Sequence, residues 1–104
     1  MFALYVRFEL KDETAAIGFD ELVAKTAPLI KSEEPGTLHY IVHTIKDAPL
    51  SRAFYEVYAD RTAFEAHEQQ PHVKHFLAER DQYLESHQVD WLTPTGGKGL
   101  ITGE

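Results

Sequence analysis

Several side chains here have types and spacings suited to proton chemistry. The 104-residue chain holds six histidines, and histidine is the side chain whose ordinary pKa suits a general base near neutrality. His39 and His43 make one pair and His67 and His72 another, with His75 close by. Glu56 lies in the run Phe54-Tyr55-Glu56-Val57-Tyr58, flanked by aromatics. A carboxyl buried in such a strand has either a raised pKa or a dedicated partner. No metal site is expected. His39 and His43 on one strand are ~13 Å apart at 3.3 Å per residue and cannot share an ion. His67 and His72 are separated by a helix break, no zincin spacing occurs, and no third ligand is evident. For each histidine taken alone the reading as a surface or half-buried side chain is favoured, whereas Glu56 reads equally as the structural partner of a Lys, an Arg or a backbone donor.

The elements that must position these groups follow from the periodicity. Phe2 to Leu10 reads as a first strand. From about Phe19 the apolar spacing turns helical through Leu22, Val23, Thr26 and Ile30. Pro28 is expected to kink this helix or shift its start, and Pro35-Gly36 stops it. Thr37 to Ile45 is a second strand, with Leu38, Tyr40 and Val42 on one face and His39, Ile41 and His43 on the other. Asp47-Ala48-Pro49 is a turn, and Arg52 to Ala59 a third strand. A turn centred between Ala48 and Pro49 sets His43 opposite Phe54, Ile41 opposite Glu56 and His39 opposite Tyr58; a one-residue slip would move that set to the other face. Asp60 is placed to cap a short helix holding Phe64 and His67. Pro71 breaks it and opens a helix over His72 to Leu84, with Val73, Phe76, Leu77, Arg80 and Leu84 on one stripe. Val89 to Leu92 is a fourth strand.

This order reads as an α+β, ferredoxin-like split βαβ unit with a four-stranded antiparallel sheet and helices on one face. The length suits a single domain, 1–104, with a core over 1–92 and a tail over 93–104. Tyr40, Tyr55, Val57 and Trp91 suggest large apolar groups on both faces of the sheet. Helices cover only one, so a second copy is expected on the other, forming a homodimer.

The formal net charge is −7, with acids and bases interspersed, which disfavours nucleic acid and anionic membranes as partners. There are no cysteines, which excludes disulfides and thiolate metal sites. The N-terminal run reaches Arg7 too soon for a signal peptide, and no apolar run approaches the ~20 residues of a membrane span. A cytoplasmic protein is expected. Gly96-Gly97-Lys98-Gly99 follows the last strand and opens no helix, so it is no phosphate loop. No nucleophile elbow appears, and no cofactor is expected: no flavin, heme, nucleotide or pyridoxal motif is present.

The run Glu34-Pro35-Gly36-Thr37-Leu38-His39-Tyr40 resembles the entry to strand two of antibiotic biosynthesis monooxygenase (ABM) domains. Phe54-Tyr55-Glu56-Val57-Tyr58 resembles their third strand, and Ala66-His67 with Pro71-His72-Val73-Lys74-His75-Phe76 resembles the following helical segment. The resemblance implies a dimeric α+β barrel with a pocket between sheet and helices. It also implies a cofactor-independent monooxygenase that oxidises a quinol or polycyclic phenol with dioxygen. There are departures. The third-strand aromatic, usually Trp in the family, is Tyr58. The positions of the Asn, Trp and His shared by heme-degrading members hold Val6, Tyr58 and Leu77, which argues against heme degradation. The third strand also lacks the Asn of some anthrone oxidases.

Oxidation without a cofactor needs a base near neutrality, donors for an oxyanion and an apolar box. His43, Glu56, Tyr58, His67 and His72 are the candidates for the chemistry, with a histidine as base and Glu56 tuning it. His39, Phe54, Phe64 and Phe76 are candidates for holding a small aromatic substrate. The alternative is a non-catalytic dimeric module of the same fold that binds a small ligand or serves as an accessory subunit.

Overall fold

The computed structural model of the chain describes residues 1–99; 100–104, the end of the expected tail, lie outside the described residues. β1 (Phe2–Leu10) turns Leu4, Val6, Phe8 and Leu10 to one side, all buried, because alternate residues of a strand share a face. α1 (Glu13–Glu33) begins ahead of the expected Phe19. Asp12 caps it, its side chain accepting from the Ala15 N–H at 2.7 Å. The first turns are built on Ala15 and Ala16, which favour helix without forming a conspicuous apolar stripe. The helix runs on through Pro28, which removes only one donor from the ladder.

Gly18 on α1 is a point of close approach. A Cβ there would lie 2.4 Å from Cε1 of Tyr83. Gly18→Ala gains up to about 1 kcal/mol of helix propensity, but overpacking against a ring seated on the core costs about 1–3 kcal/mol. The expected result is a net loss near 1 kcal/mol in urea unfolding. With Tyr83→Leu already present, the same change should become neutral or stabilising; an equal loss in both backgrounds would refute the clash.

β2 (Thr37–Ile45) and β3 (Ala48–Tyr58) form a hairpin whose register departs from the expected one. The turn is the two residues Lys46 and Asp47, with Asp47 in the left-handed region at φ 65° and Ile45 opposite Ala48. Thr44 then faces Arg52, so 49–51 have no opposite number on β2. Such a bulge shifts every pairing beyond it. Arg52 holds the bulge: its Nη1 donates to the carbonyls of Pro49 and Ser51, each at 2.9 Å, while Nε and Nη2 clasp Asp20 of α1 at 2.9 and 3.0 Å. Tyr40 therefore faces Glu56, Val42 faces Phe54 and His43 faces Ala53.

α2 (Arg61–Gln69) is capped by Asp60, and α3 (Pro71–Glu79) opens on Pro71. The predicted helix to Leu84 instead ends at Glu79 and tightens into a 3₁₀ turn over Arg80–Tyr83. β4 (Leu84–Leu92) is longer than expected, because its polar first half pairs with β1 along the backbone. The sheet order is β2-β3-β1-β4, antiparallel throughout. Phe8, Phe19, Phe54, Tyr58 and Phe76 fill the layer between sheet and helices. The outer face presents Ile41 and Leu92, 45% and 40% exposed, beside buried Ala3, Ala53 and Val57. Among the described residues no helix is long and apolar enough to cross a membrane.

Candidate functional site

A cavity of about 180 Å³ lies between the sheet and the helices. Its floor is Leu4, Val6 and Phe8 of β1, Tyr40 of β2, Phe54 and Glu56 of β3, and Val89 and Trp91 of β4. Its roof is Phe64 and His67 of α2, with Val73, Phe76 and Leu77 of α3, and Arg80 also lines it. Trp91 is 61% exposed, and its ring meets Phe64 edge-on at 5.6 Å.

Strand alternation brings Glu56 to this cavity, and the aromatic neighbours keep it dry. It is 6% exposed, and its Oε1 accepts from the Tyr58 hydroxyl at 2.5 Å. Its Oε2 has no hydrogen-bond partner among the described residues. Burial pushes the Glu56 carboxyl up to about 7. The Tyr58 donation and the Arg80 charge oppose that rise, and Glu34 and Glu68 add to it. Tyr58 is fully buried behind Glu56, and burial, followed by the Glu56 charge, raises its phenol. It is therefore a donor and does not line the cavity. Burial raises Tyr40 well above the usual phenol range too.

A second buried carboxyl organises the histidines. Glu34 follows the last turn of α1. Its Oε1 meets Nδ1 of His67 at 2.6 Å and the Thr37 hydroxyl at 2.8 Å, and its Oε2 meets Nε2 of His72 at 2.5 Å. A carboxylate only accepts, so with Glu34 ionised the facing Nδ1 of His67 and Nε2 of His72 are the donors. The His67 ring packs 5.1 Å from that of Tyr58 and 5.8 Å from that of Tyr40. The carboxylate touching a histidine is thus Glu34, and among the described residues no hydrogen bond joins Glu56 to one. Nor do three His, Asp or Glu side chains come together as a metal site among the described residues.

Of the residues singled out in the sequence, Phe54, Glu56, Phe64, His67 and Phe76 meet at the cavity. His72 belongs to the Glu34 cluster and does not line the cavity. The corrected register removes His39 and His43 to the opposite face of the sheet, where Nδ1 of His43 lies 3.0 Å from the Ala53 carbonyl oxygen. The sequence reading missed Glu34, Tyr40 and Arg80. The signal for Arg80 was an arginine on the otherwise apolar stripe of the last helix. The signal for Tyr40 was its place on the strand-two face away from His39 and His43. Nothing local pointed to Glu34.

The chain is similar in fold to a candidate antibiotic biosynthesis monooxygenase from Bacteroides thetaiotaomicron, with TM-score 0.85, 19% identity, and coverage of 96% of this chain and 94% of that one. A Mycobacterium tuberculosis protein matches with TM-score 0.82 at 23% identity over 94% and 98% of the two chains. A candidate monooxygenase from Lactobacillus acidophilus is 30% identical, with TM-score 0.81, over 88% of this chain but 43% of that longer one. No curated protein matches the sequence. The sequence profile of the antibiotic biosynthesis monooxygenase family matches residues 1–79, and on that match, with its segments in place around one cavity, the chain belongs to this family.

Proposed function

We propose that this protein is a cofactor-independent, cytoplasmic monooxygenase that oxidises a single-ring quinol with dioxygen. One observation carries the reading: Glu56 is a buried carboxyl, facing an apolar cavity with one oxygen free, and it titrates at about 7. A general base works best when its pKa lies near the operating pH. Glu56 takes the proton of a substrate hydroxyl at Oε2, and the electron pair stays on the substrate oxygen. The Tyr58 hydroxyl holds Oε1 and so orients the carboxyl. The electron-rich anion reduces dioxygen. One oxygen atom enters the ring, the other leaves as water, and the quinol, oxidised to a hydroxyquinone, supplies all the electrons. Phe54, Phe64 and Phe76 form apolar walls that exclude water from the anion. The volume of about 180 Å³ compares with the ~150 Å³ of a cavity known to take benzene, hence one ring and not a fused polycycle. Oxygen uptake with a panel of single-ring quinols is the test. Uptake that matches protein-free buffer would leave the non-catalytic module as the reading.

Two copies pack through the outer sheet faces in this proposal, burying Ile41 and Leu92. Light scattering at micromolar concentration should give twice the chain mass, and Ile41→Asp should give the single mass. A monomeric unsubstituted protein would refute the arrangement.

A further inference from the structure

Arg80 stands apart from every other polar group in the interior. Its Nε has essentially no solvent-accessible surface, and among the described residues it is the only side-chain nitrogen or oxygen so enclosed that lacks a hydrogen-bond partner. The nearest acid, Asp81, holds its Oδ1 3.8 Å away, beyond hydrogen-bond reach, and points to solvent. The guanidinium carbon lies 5.5 Å from the centroid of the Phe8 ring. A cation over an aromatic face recovers part of what it loses on leaving water, but a ring face does not satisfy an N–H donor as an oxygen does. The group lines the cavity, and its charge is felt by both Glu56 and Tyr40. The other titratable side chains lining that cavity are His67 and Glu68.

Resting on the quinol reading above, we propose that Arg80 is the residue that holds the substrate oxyanion, and that it restricts the site to rings bearing an ionisable hydroxyl. An oxygen seated between Glu56 and Arg80 loses its proton to Oε2 of Glu56 and keeps the electron pair. The negative charge moves from the carboxylate to the substrate oxygen while the net charge in the cavity stays the same. Arg80 faces both ends of that transfer, so the apolar box never contains an uncompensated anion. A ring without the hydroxyl leaves the guanidinium donor unmet and is rejected for that reason. The surrounding protein carries net charge −7, so attraction for the anion comes from this local cation and not from the general field.

The test uses 4-nitrophenol, whose phenolate is yellow, and nitrobenzene, which has the same ring without the hydroxyl. Wild-type protein should bind 4-nitrophenol so that it ionises at a lower pH than in water. Wild type should bind nitrobenzene poorly, and Arg80→Met should bind it more tightly because the unmet donor is gone. The pH at which bound 4-nitrophenol ionises should rise in the variant by about one unit or more, a tenfold change in acid constant. Equal ionisation of bound 4-nitrophenol in Arg80→Met and wild type, or nitrobenzene bound equally by both, would overturn the role of Arg80 and leave the cavity reading standing. If wild type binds neither ring, the cavity reading itself falls and takes this one with it. Should Arg80→Met lose its fold by circular dichroism, Arg80→Gln is read in the same way, and bound dye ionising there as in wild type is equally fatal.

Discussion

Glu56→Gln is expected to lower kcat/KM for a quinol by roughly two to four orders of magnitude while making the protein more stable at alkaline pH. Both effects come from one burial. Gln keeps an oxygen to accept from Tyr58 but cannot take a proton at neutral pH, so the base is lost and the local geometry kept. The wild-type pH profile should rise through about 7, where the buried carboxyl ionises, and that limb should vanish in the variant. The stability effect has a definite sign. The folded-state pKa is raised from 4.5 to about 7. Below pH 4.5 both folded and unfolded chains carry the proton, and no penalty exists. As pH rises from 4.5 to 7 the unfolded chain ionises while the folded one resists, so stability falls. Above 7 the loss levels off, on the order of 3 kcal/mol. Denaturant titrations should therefore show Glu56→Gln close to wild type at pH 4 and more stable by up to that amount at pH 8. A stability difference independent of pH, or undiminished turnover, would sink the assignment.

Glu34→Ala should be the most damaging single truncation in the helical layer. It strips the acceptor from His67, His72 and Thr37 together. Removing one partner of a buried charge-assisted cluster costs about 3–5 kcal/mol, against a total stability of about 5–15 kcal/mol for a domain. Glu34 joins the entry of β2 to both α2 and α3, so the roof of the cavity loosens with it. His72→Ala removes one of the three contacts and should cost less, about 1–3 kcal/mol for the acceptor left short of a donor. Urea midpoints for the two variants check the ranking. A Glu34→Ala protein within 1 kcal/mol of wild type would mean that the cluster contributes little to stability.

The fold was legible wherever one face of an element is buried along its length. β1 and β2 declare themselves by alternation, and the proline and glycine at 35–36 mark the end of α1. The misreadings have local causes. The first turns of α1 are small residues that propensity favours but periodicity does not register. The polar start of β4, Glu85 to Gln88, is a strand by its backbone pairing to β1, which no apolar alternation announces. The hairpin register failed because a turn centred between Ala48 and Pro49 is compatible with the sequence, whereas the chain turns earlier at Asp47 and inserts a bulge held by Arg52. That one error put His39 and His43 on the wrong side. Glu56 and the three phenylalanines were readable because alternation and helical spacing are short-range rules. Glu34 lies 33 and 38 residues from the histidines it joins, and no short-range rule reports such a meeting.

The chain has a single tryptophan, and that residue, Trp91, forms part of the cavity wall with its ring against Phe64. All of the molecule's indole absorbance and emission thus originates at one place, within contact distance of whatever enters. The protein carries an optical label at its own site, with no dye to attach and no second indole to subtract.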